Sequence, residues 1–152
     1  MRTIPLTHGK IALVSDEDYE RVNQFKWRAS WQGRHWYAAS GDNTKLHRFI
    51  LGLENPKIIV DHIDGDELNC QRSNMRVCTN AENLRNRGKQ KNNTSGFKGV
   101  IWYAPSRKWR AQIKLNGNRK HLGHFDNIID AARAYDEAAV KYFGEFAQLN
   151  GV

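Results

Sequence analysis

Apolar and polar positions change rhythm along this chain, and each rhythm predicts an element. Residues 10–14 (KIALV) are a short apolar run that reads as a strand. Ser15 can cap a helix over 16–24, whose first turn carries acids where the helix dipole favours negative charge, with Tyr19 and Val22 on the buried side. Residues 26–39 (KWRASWQGRHWYAA) put Trp27, Ala29 and Trp31 on one parity, and Gly33 sits where a chain would reverse. That pattern predicts a hairpin with its tryptophans in the core of a small domain. Trp36 is the exception, because it lies between Arg34-His35 and Tyr37. After a loop at Gly41-Asp42-Asn43, residues 46–53 (LHRFILGL) form a short apolar helix or strand, in which His47 reads as a structural histidine. Pro56 then breaks the chain, and Ile58-Ile59-Val60 is a buried strand running into Asp61-His62.

The second half is patterned differently. Asp64-Gly65-Asp66 is a turn, and its acids lack the spacing and the distant Glu of a helix-loop-helix calcium site. Asn69 and Asn74 flank a loop, 75–78 is a second short strand, and Thr79-x-x-Glu82 is a capping box opening a helix that carries Asn83. Residues 87–95 (RGKQKNNTS) have no apolar period and read as a linker. Three strands follow at 97–103, 108–115 and 119–123, turned at Pro105-Ser106 and at Asn116-Gly117-Asn118, the latter a strong hairpin signal. In the middle strand Trp109, Ala111, Ile113 and Leu115 alternate with Lys108, Arg110, Gln112 and Lys114, so one face is apolar and the other can donate hydrogen bonds. Asn127 caps a last helix whose buried stripe is Ile128, Ala131, Ala132, Tyr135, Ala138, Ala139 and Tyr142.

Charge adds a partner to this picture. The chain has 152 residues and 24 Lys plus Arg against 16 acids, a net charge of +8. From Asn83 to Phe125 there is no Asp or Glu, yet the span holds eleven Lys and Arg residues. A one-sign stretch of this kind repels itself unless a polyanion lies against it, so nucleic acid is the expected partner. The only cysteines, Cys70 and Cys78, form no CxxC pair and read as free thiols of a reducing compartment. No apolar run reaches the length of a membrane span, and MRTIPLTHGK is not a signal peptide, so a soluble protein of the cytoplasm with no membrane partner is expected.

Asp61-His62, Asn74 within SNMR and Asn83 within TNAENLRN resemble the HNH endonuclease family, in particular the His-Asn-Asn variant of its phage and homing-type members. The resemblance implies a ββα-metal core, here without the paired CxxC motifs and so without structural zinc. It also implies a role for each residue. Asp61 and Asn83 would hold one divalent cation, and their oxygen donors suit Mg²⁺ or Mn²⁺. His62 would be the general base, a task its ordinary pKa of about 6.5 suits. Asn74 would brace the loop and orient the His62 ring. Arg85 or Arg87 would contact a phosphate near the cut, though a solvated helix face explains them equally well. Products with a 5′ phosphate and a 3′ hydroxyl are implied, the metal stabilising the leaving oxygen. A bacterial or phage-infected host cell is the implied setting.

FKGV, KWRAQI, HLGHF, AARAYDEAA and FGEFAQLN, which cover most of 96–150, resemble the ethylene-response-factor (APETALA-type) DNA-binding domain. In that family the three-stranded sheet enters the major groove. The positions matching its contact residues are Lys98, Trp102, Arg110, Gln112, Lys114, Arg119 and His121. Lys98, Ile101, Gln112 and Lys114 depart from the plant pattern, so the plant target sequence does not carry over.

The expectation is an α+β chain in three parts: a nuclease domain over 1–86 with an N-terminal strand and hairpin extension, a basic linker over 87–95, and a DNA-binding domain over 96–152 made of a three-stranded antiparallel sheet on one helix. It would cut double-stranded DNA, nicking as a monomer and cutting both strands only as a homodimer or in a second encounter. The rival is a DNA-binding regulator with a relict nuclease fold. RNA as the target is a third reading, resting on the same basic surface.

Overall fold

A computed structural model describes residues 1–152, which divide into two units, Met1–Asn83 and Leu84–Val152. The architecture is α+β throughout. The first unit opens with β1 (Arg2–Pro5), which pairs antiparallel with β2 (Ile11–Val14). Helix α1 (Asp16–Val22) follows, then the hairpin of β3 (Arg28–Gln32) and β4 (His35–Ala39), then α2 (Leu46–Leu51). Strand β5 (Ile59–His62) runs into the polar loop. The loop contains the two-residue β6 (Asn69–Cys70), which lies parallel to β2. Strand β7 (Met75–Cys78) pairs antiparallel with β5, and α3 (Asn80–Arg85) completes a ββα unit. Ile4, Val14, Val22, Trp27, Leu46, Ile50, Cys70 and Met75 share one core.

Several expectations change here, each for a physical reason. The segments that form β1 and β6 are too short and too polar to announce themselves, and they are strands only because β2 supplies both edges. Ser15 makes no side-chain cap to α1, which ends at Val22; its hydroxyl accepts the Arg72 N–H instead, at 3.0 Å. Of the tryptophans only Trp27 joins the core. Trp31 is 54 % exposed and pairs across the hairpin with Trp36, their ring centroids 5.3 Å apart, because that end of the ribbon overhangs the core. Residues 46–51 are helical, and Gly52 stops the helix in the left-handed conformation that a glycine adopts without steric cost.

An ionic knot around the buried Asp18 ties this unit together. Asp18 of α1 is buried and accepts from Arg21 at 2.9 Å and from Arg72 at 2.8 and 2.9 Å. Both arginines also donate to the Ile50 carbonyl at the end of α2. Burial pushes the Asp18 carboxyl up, but the hydrogen bonds and charges of Arg72 and Arg21 outweigh it and hold the group below the usual carboxylate range. The knot joins three distant segments just before β7, so it fixes the height at which the polar loop returns.

The second unit is a three-stranded antiparallel sheet, β8 (Val100–Tyr103), β9 (Lys108–Leu115) and β10 (Asn118–Phe125), with β9 central and α4 (Ile128–Phe143) across one face. Asn127 caps α4, its side chain accepting the Ile129 N–H at 2.8 Å. Phe143, rather than Tyr142, closes the buried stripe, and the Tyr142 hydroxyl faces Lys120 at 2.6 Å. Small alanines let α4 lie close to the sheet, and Gly99 takes this furthest. A Cβ at Gly99 would stand 2.0 Å from the Tyr135 ring, and its φ is +75°. The chain end is latched too: Asn150 bonds the Lys98 backbone at both its N–H and its C=O, and buried Asp136 accepts from the Asn150 and Gly151 backbones. The segment 87–95 groups with this unit, where Lys89 donates to the Gly96 carbonyl and Asn93 to that of Phe97. No helix of the chain is long and apolar enough to cross a membrane.

Candidate active site and nucleic-acid interface

Strand β5 ends in a buried pair, Asp61 and His62, each 5 % exposed. The register sets Asp61 opposite Arg76 and His62 opposite Met75. Directly paired residues share a face, and Arg76 reaches the Asp61 carboxylate with Nε at 2.9 Å and Nη2 at 2.7 Å. Arg76 is a site residue that the sequence reading missed. The strand period of SNMR against IVDH held the signal, but only once the register was known.

The loop after His62 is stitched by Asn74. Its amide nitrogen donates to Asp64 at 2.9 Å and to the Asn69 carbonyl at 2.8 Å, and its oxygen accepts the Asp64 N–H at 3.1 Å. Asp64 also accepts from the Asp66 N–H and the Asn69 side chain, so these acids serve as turn residues. The capping box forms as written: Glu82 accepts from the Thr79 N–H at 2.8 Å, and Thr79 Oγ1 accepts the Glu82 N–H at 3.3 Å. It starts α3 so that Asn83 falls in the first turn, its N–H on the Thr79 carbonyl.

His62 sits edge-on to His47, ring centroids 5.3 Å apart, and His47 in turn packs on Tyr37 at 5.9 Å. Burial lowers the His62 pKa more than the nearby Asp64, Asp61 and Asp66 raise it. His47 is driven down to about 3 by burial, and then by the charges of His62, Arg48 and Lys45. Both rings are therefore neutral at physiological pH. His47, which reads from the sequence as a structural histidine, is delivered by α2 against the ring of His62. No group of three or more His, Cys, Asp or Glu converges to hold a metal. The donor set that Asp61 and Asn83 offer is one carboxylate and one amide oxygen.

The second cluster lies on the open face of the C-terminal sheet. Register decides its membership. Arg110 pairs with Ile101 and His124, Gln112 with His121, and Lys114 with Arg119. These residues face away from α4. A bulge at Leu122 shifts the parity of β10, so His121 and His124 share the open face although they are three residues apart. Tyr103, Arg110, Gln112, Arg119, His121 and His124 line a concavity of about 360 Å³. Tyr103 and His124 were absent from the sequence expectation: His124 reaches the open face through the bulge, and Tyr103 through its register opposite Lys108.

Two expected contact residues fall elsewhere. Trp102 pairs with Trp109, which shares the parity of buried Ala111, so Trp102 stands on the helix side of the sheet although it is 50 % exposed. The Lys98 ammonium donates to the Arg85 and Arg87 carbonyls, and burial lowers its pKa to about 8. The Arg85 guanidinium lies over the Phe143 ring at 5.0 Å, while Arg87 is exposed.

Comparison with known proteins finds relatives for both regions of the chain. The HNH endonuclease family model matches residues 45–85, the span from α2 through α3. An uncharacterised HNH endonuclease of Acanthamoeba polyphaga mimivirus is 33% identical over 151 residues, 95% of this chain and 76% of that protein. Protein 3.8 of Escherichia phage T7 is 33% identical over 59% of this chain and 74% of its own length. An AP2-like ethylene-responsive transcription factor of Arabidopsis thaliana is 42% identical over 39% of this chain and 12% of its own. No solved structure matches significantly. The chain belongs to the HNH endonuclease family and carries an AP2-like DNA-binding region towards its C-terminus.

Proposed function

We propose that this DNA endonuclease is metal-dependent, that His62 is its general base, and that the open face of its C-terminal sheet holds the duplex. The observation that carries the proposal is the site at the end of β5. A buried neutral imidazole stands there beside a fixed carboxylate, within the span that the family model matches. A neutral imidazole accepts a proton from an attacking water, and burial keeps it neutral at physiological pH. Asn74 holds the loop that follows the base, and the His47 ring keeps the His62 ring in one orientation.

Members of the family use a divalent metal ion, and the residues present fit one. A carboxylate and an amide are both hard oxygen donors, suited to Mg²⁺ or Mn²⁺, with the remaining positions left to water and phosphate. Asp61, buried and held by Arg76, and Asn83, in the capped first turn of α3, would hold it. When bound, the ion supplies positive charge against the scissile phosphate and the leaving oxygen. Arg87, exposed after α3, is available to a flanking phosphate.

The nuclease part covers 1–86 and the AP2-like part 96–152, joined by the basic 87–95. Each chain has one such site, so a monomer nicks double-stranded DNA, leaving a 5′ phosphate and a 3′ hydroxyl, and a homodimer would cut both strands. The test is supercoiled plasmid with Mg²⁺ or Mn²⁺, wild type beside His62→Ala. Open circles from the wild type alone are expected, with duplex binding equal in the two proteins. Binding without cleavage in any divalent metal would mean a relict nuclease fold kept for binding.

A further inference from the structure

On the first unit, one face of the β3–β4 hairpin carries two cations that the proposed catalytic site does not use. Arg28 pairs with Ala39 across the hairpin, and Ala39 makes a second antiparallel bridge to Lys45 on its other side. Residues paired in this way point to the same face. Arg28 and Lys45 therefore flank Ala39, a fully buried residue too small to separate them.

Neither cation makes an ion pair with a carboxylate. The nearby acids are engaged elsewhere: Asp42 on Ser40 and the Thr44 N–H, and Glu67 on His35 at 2.8 Å. The Arg28 guanidinium is held instead by the neutral Asn43 side chain, from a backbone at φ +69°. A non-glycine residue takes that conformation at a cost. Burial and then the Arg28 charge lower the Lys45 pKa, as expected for two like charges kept together.

This pair also has a direction. The Lys45 ammonium lies 5.3 Å from the centre of the Tyr37 ring, Tyr37 lies 5.9 Å from His47, and His47 lies 5.3 Å from His62. The cations thus sit at the end of a continuous row of rings that leads to the candidate base. A sheet face with two unneutralised cations, one guanidinium oriented by an amide, fits an oxyanion of the sugar–phosphate backbone.

We propose that Arg28 and Lys45 form a phosphate clamp that seats a DNA strand beside His62. This rests on the reading of His62 as the base. The clamp places backbone rather than reading bases, so its effect is independent of sequence.

The test uses the full chain and a fluorescent DNA duplex, with affinity measured across a salt series. Arg28→Gln/Lys45→Gln is compared with wild type, with the charge-conserving exchange Arg28→Lys/Lys45→Arg, and with Lys26→Gln/Lys57→Gln, two exposed cations of the same unit. The slope of log affinity against log salt should become shallower by roughly 0.9 for each phosphate that is no longer neutralised, and affinity near physiological salt should fall on the order of tenfold. The charge-conserving exchange should keep the slope, and Lys26→Gln/Lys57→Gln should leave it unchanged. Single-turnover cleavage at saturating protein should also slow in Arg28→Gln/Lys45→Gln, because a strand seated loosely presents its phosphate poorly to the base. An unchanged slope, or an equal change in the Lys26/Lys57 variant, overturns the clamp. A shallower slope with the wild-type maximal rate overturns its placement beside His62. Absence of cleavage from every protein, with the slope change intact, overturns the nuclease reading and leaves the clamp standing.

Discussion

The two units solve opposite problems with the same residue types. In the first, polar groups are buried and paired: Asp18 with Arg21 and Arg72, Asp61 with Arg76, Asn74 with the loop it closes. In the second, cations stand on an open sheet face, with one carboxylate, Asp126, at its rim beside Lys108. A reacting group needs a dry and rigid setting, which only groups from distant segments can build. A polyanion needs an accessible surface of one sign, which one alternating strand can supply. On the proposed reading, the chemistry belongs to the first unit, where the HNH match lies, and most of the duplex affinity to the open sheet face of the second.

The sharpest way to break this comparison is at His62. His62→Ala should lower cleavage on the order of 10³-fold, as loss of a general base does, with duplex affinity unchanged; gel-based cleavage and anisotropy read the two separately. Next is Gly99→Ala, which forces a Cβ into the Tyr135 ring from a backbone at positive φ. A loss of about 3 kcal/mol or more is expected in the second unit alone, so NMR signals of 84–152 should melt first while those of 1–83 stay dispersed.

Asp18→Asn tests the first unit, where two half-exposed guanidinium groups would lose their buried anion; a loss of about 1–2 kcal/mol in thermal or urea unfolding is expected. The pH dependence follows with a definite sign. The folded Asp18 carboxyl lies below its unfolded value of about 3.9, so its contribution is present above about pH 4 and fades as pH falls through the folded value. The Asp18→Asn variant should therefore lose less stability than wild type on acidification.

Smaller effects sharpen the second unit. Arg110→Ala should weaken duplex binding by about 1–3 kcal/mol and leave cleavage of bound DNA unchanged. The smallest effect separates two neighbours. Tyr103→Ala, on the open face under Arg110 at 4.8 Å, should lower affinity by about 1 kcal/mol. Trp102→Ala, on the helix side, should affect the melting temperature rather than binding. Equal binding losses for both would mean that the duplex grips the sheet edge instead of its open face.

Much of this protein was legible in its sequence because the relevant information is local. The capping box at Thr79 and Glu82 acts over three residues, the turn at Asn116-Gly117 over two, and the alternation of β9 over one strand, so each reads the same in the chain and in the fold. Asp61, His62, Asn74 and Asn83 were visible as a short ordered set for the same reason. Tertiary structure alone decided the rest. It paired Arg76 with Asp61, brought His47 from α2 against His62, and took the Ser15 hydroxyl from its helix for Arg72. It also moved Trp102 to the helix side and His124 to the open face, through a register and a bulge that no single strand encodes. The physical reason is common to these cases. Side-chain parity and helix caps depend on neighbours in the chain, whereas register, burial and partner choice depend on which distant segments arrive to satisfy a buried group.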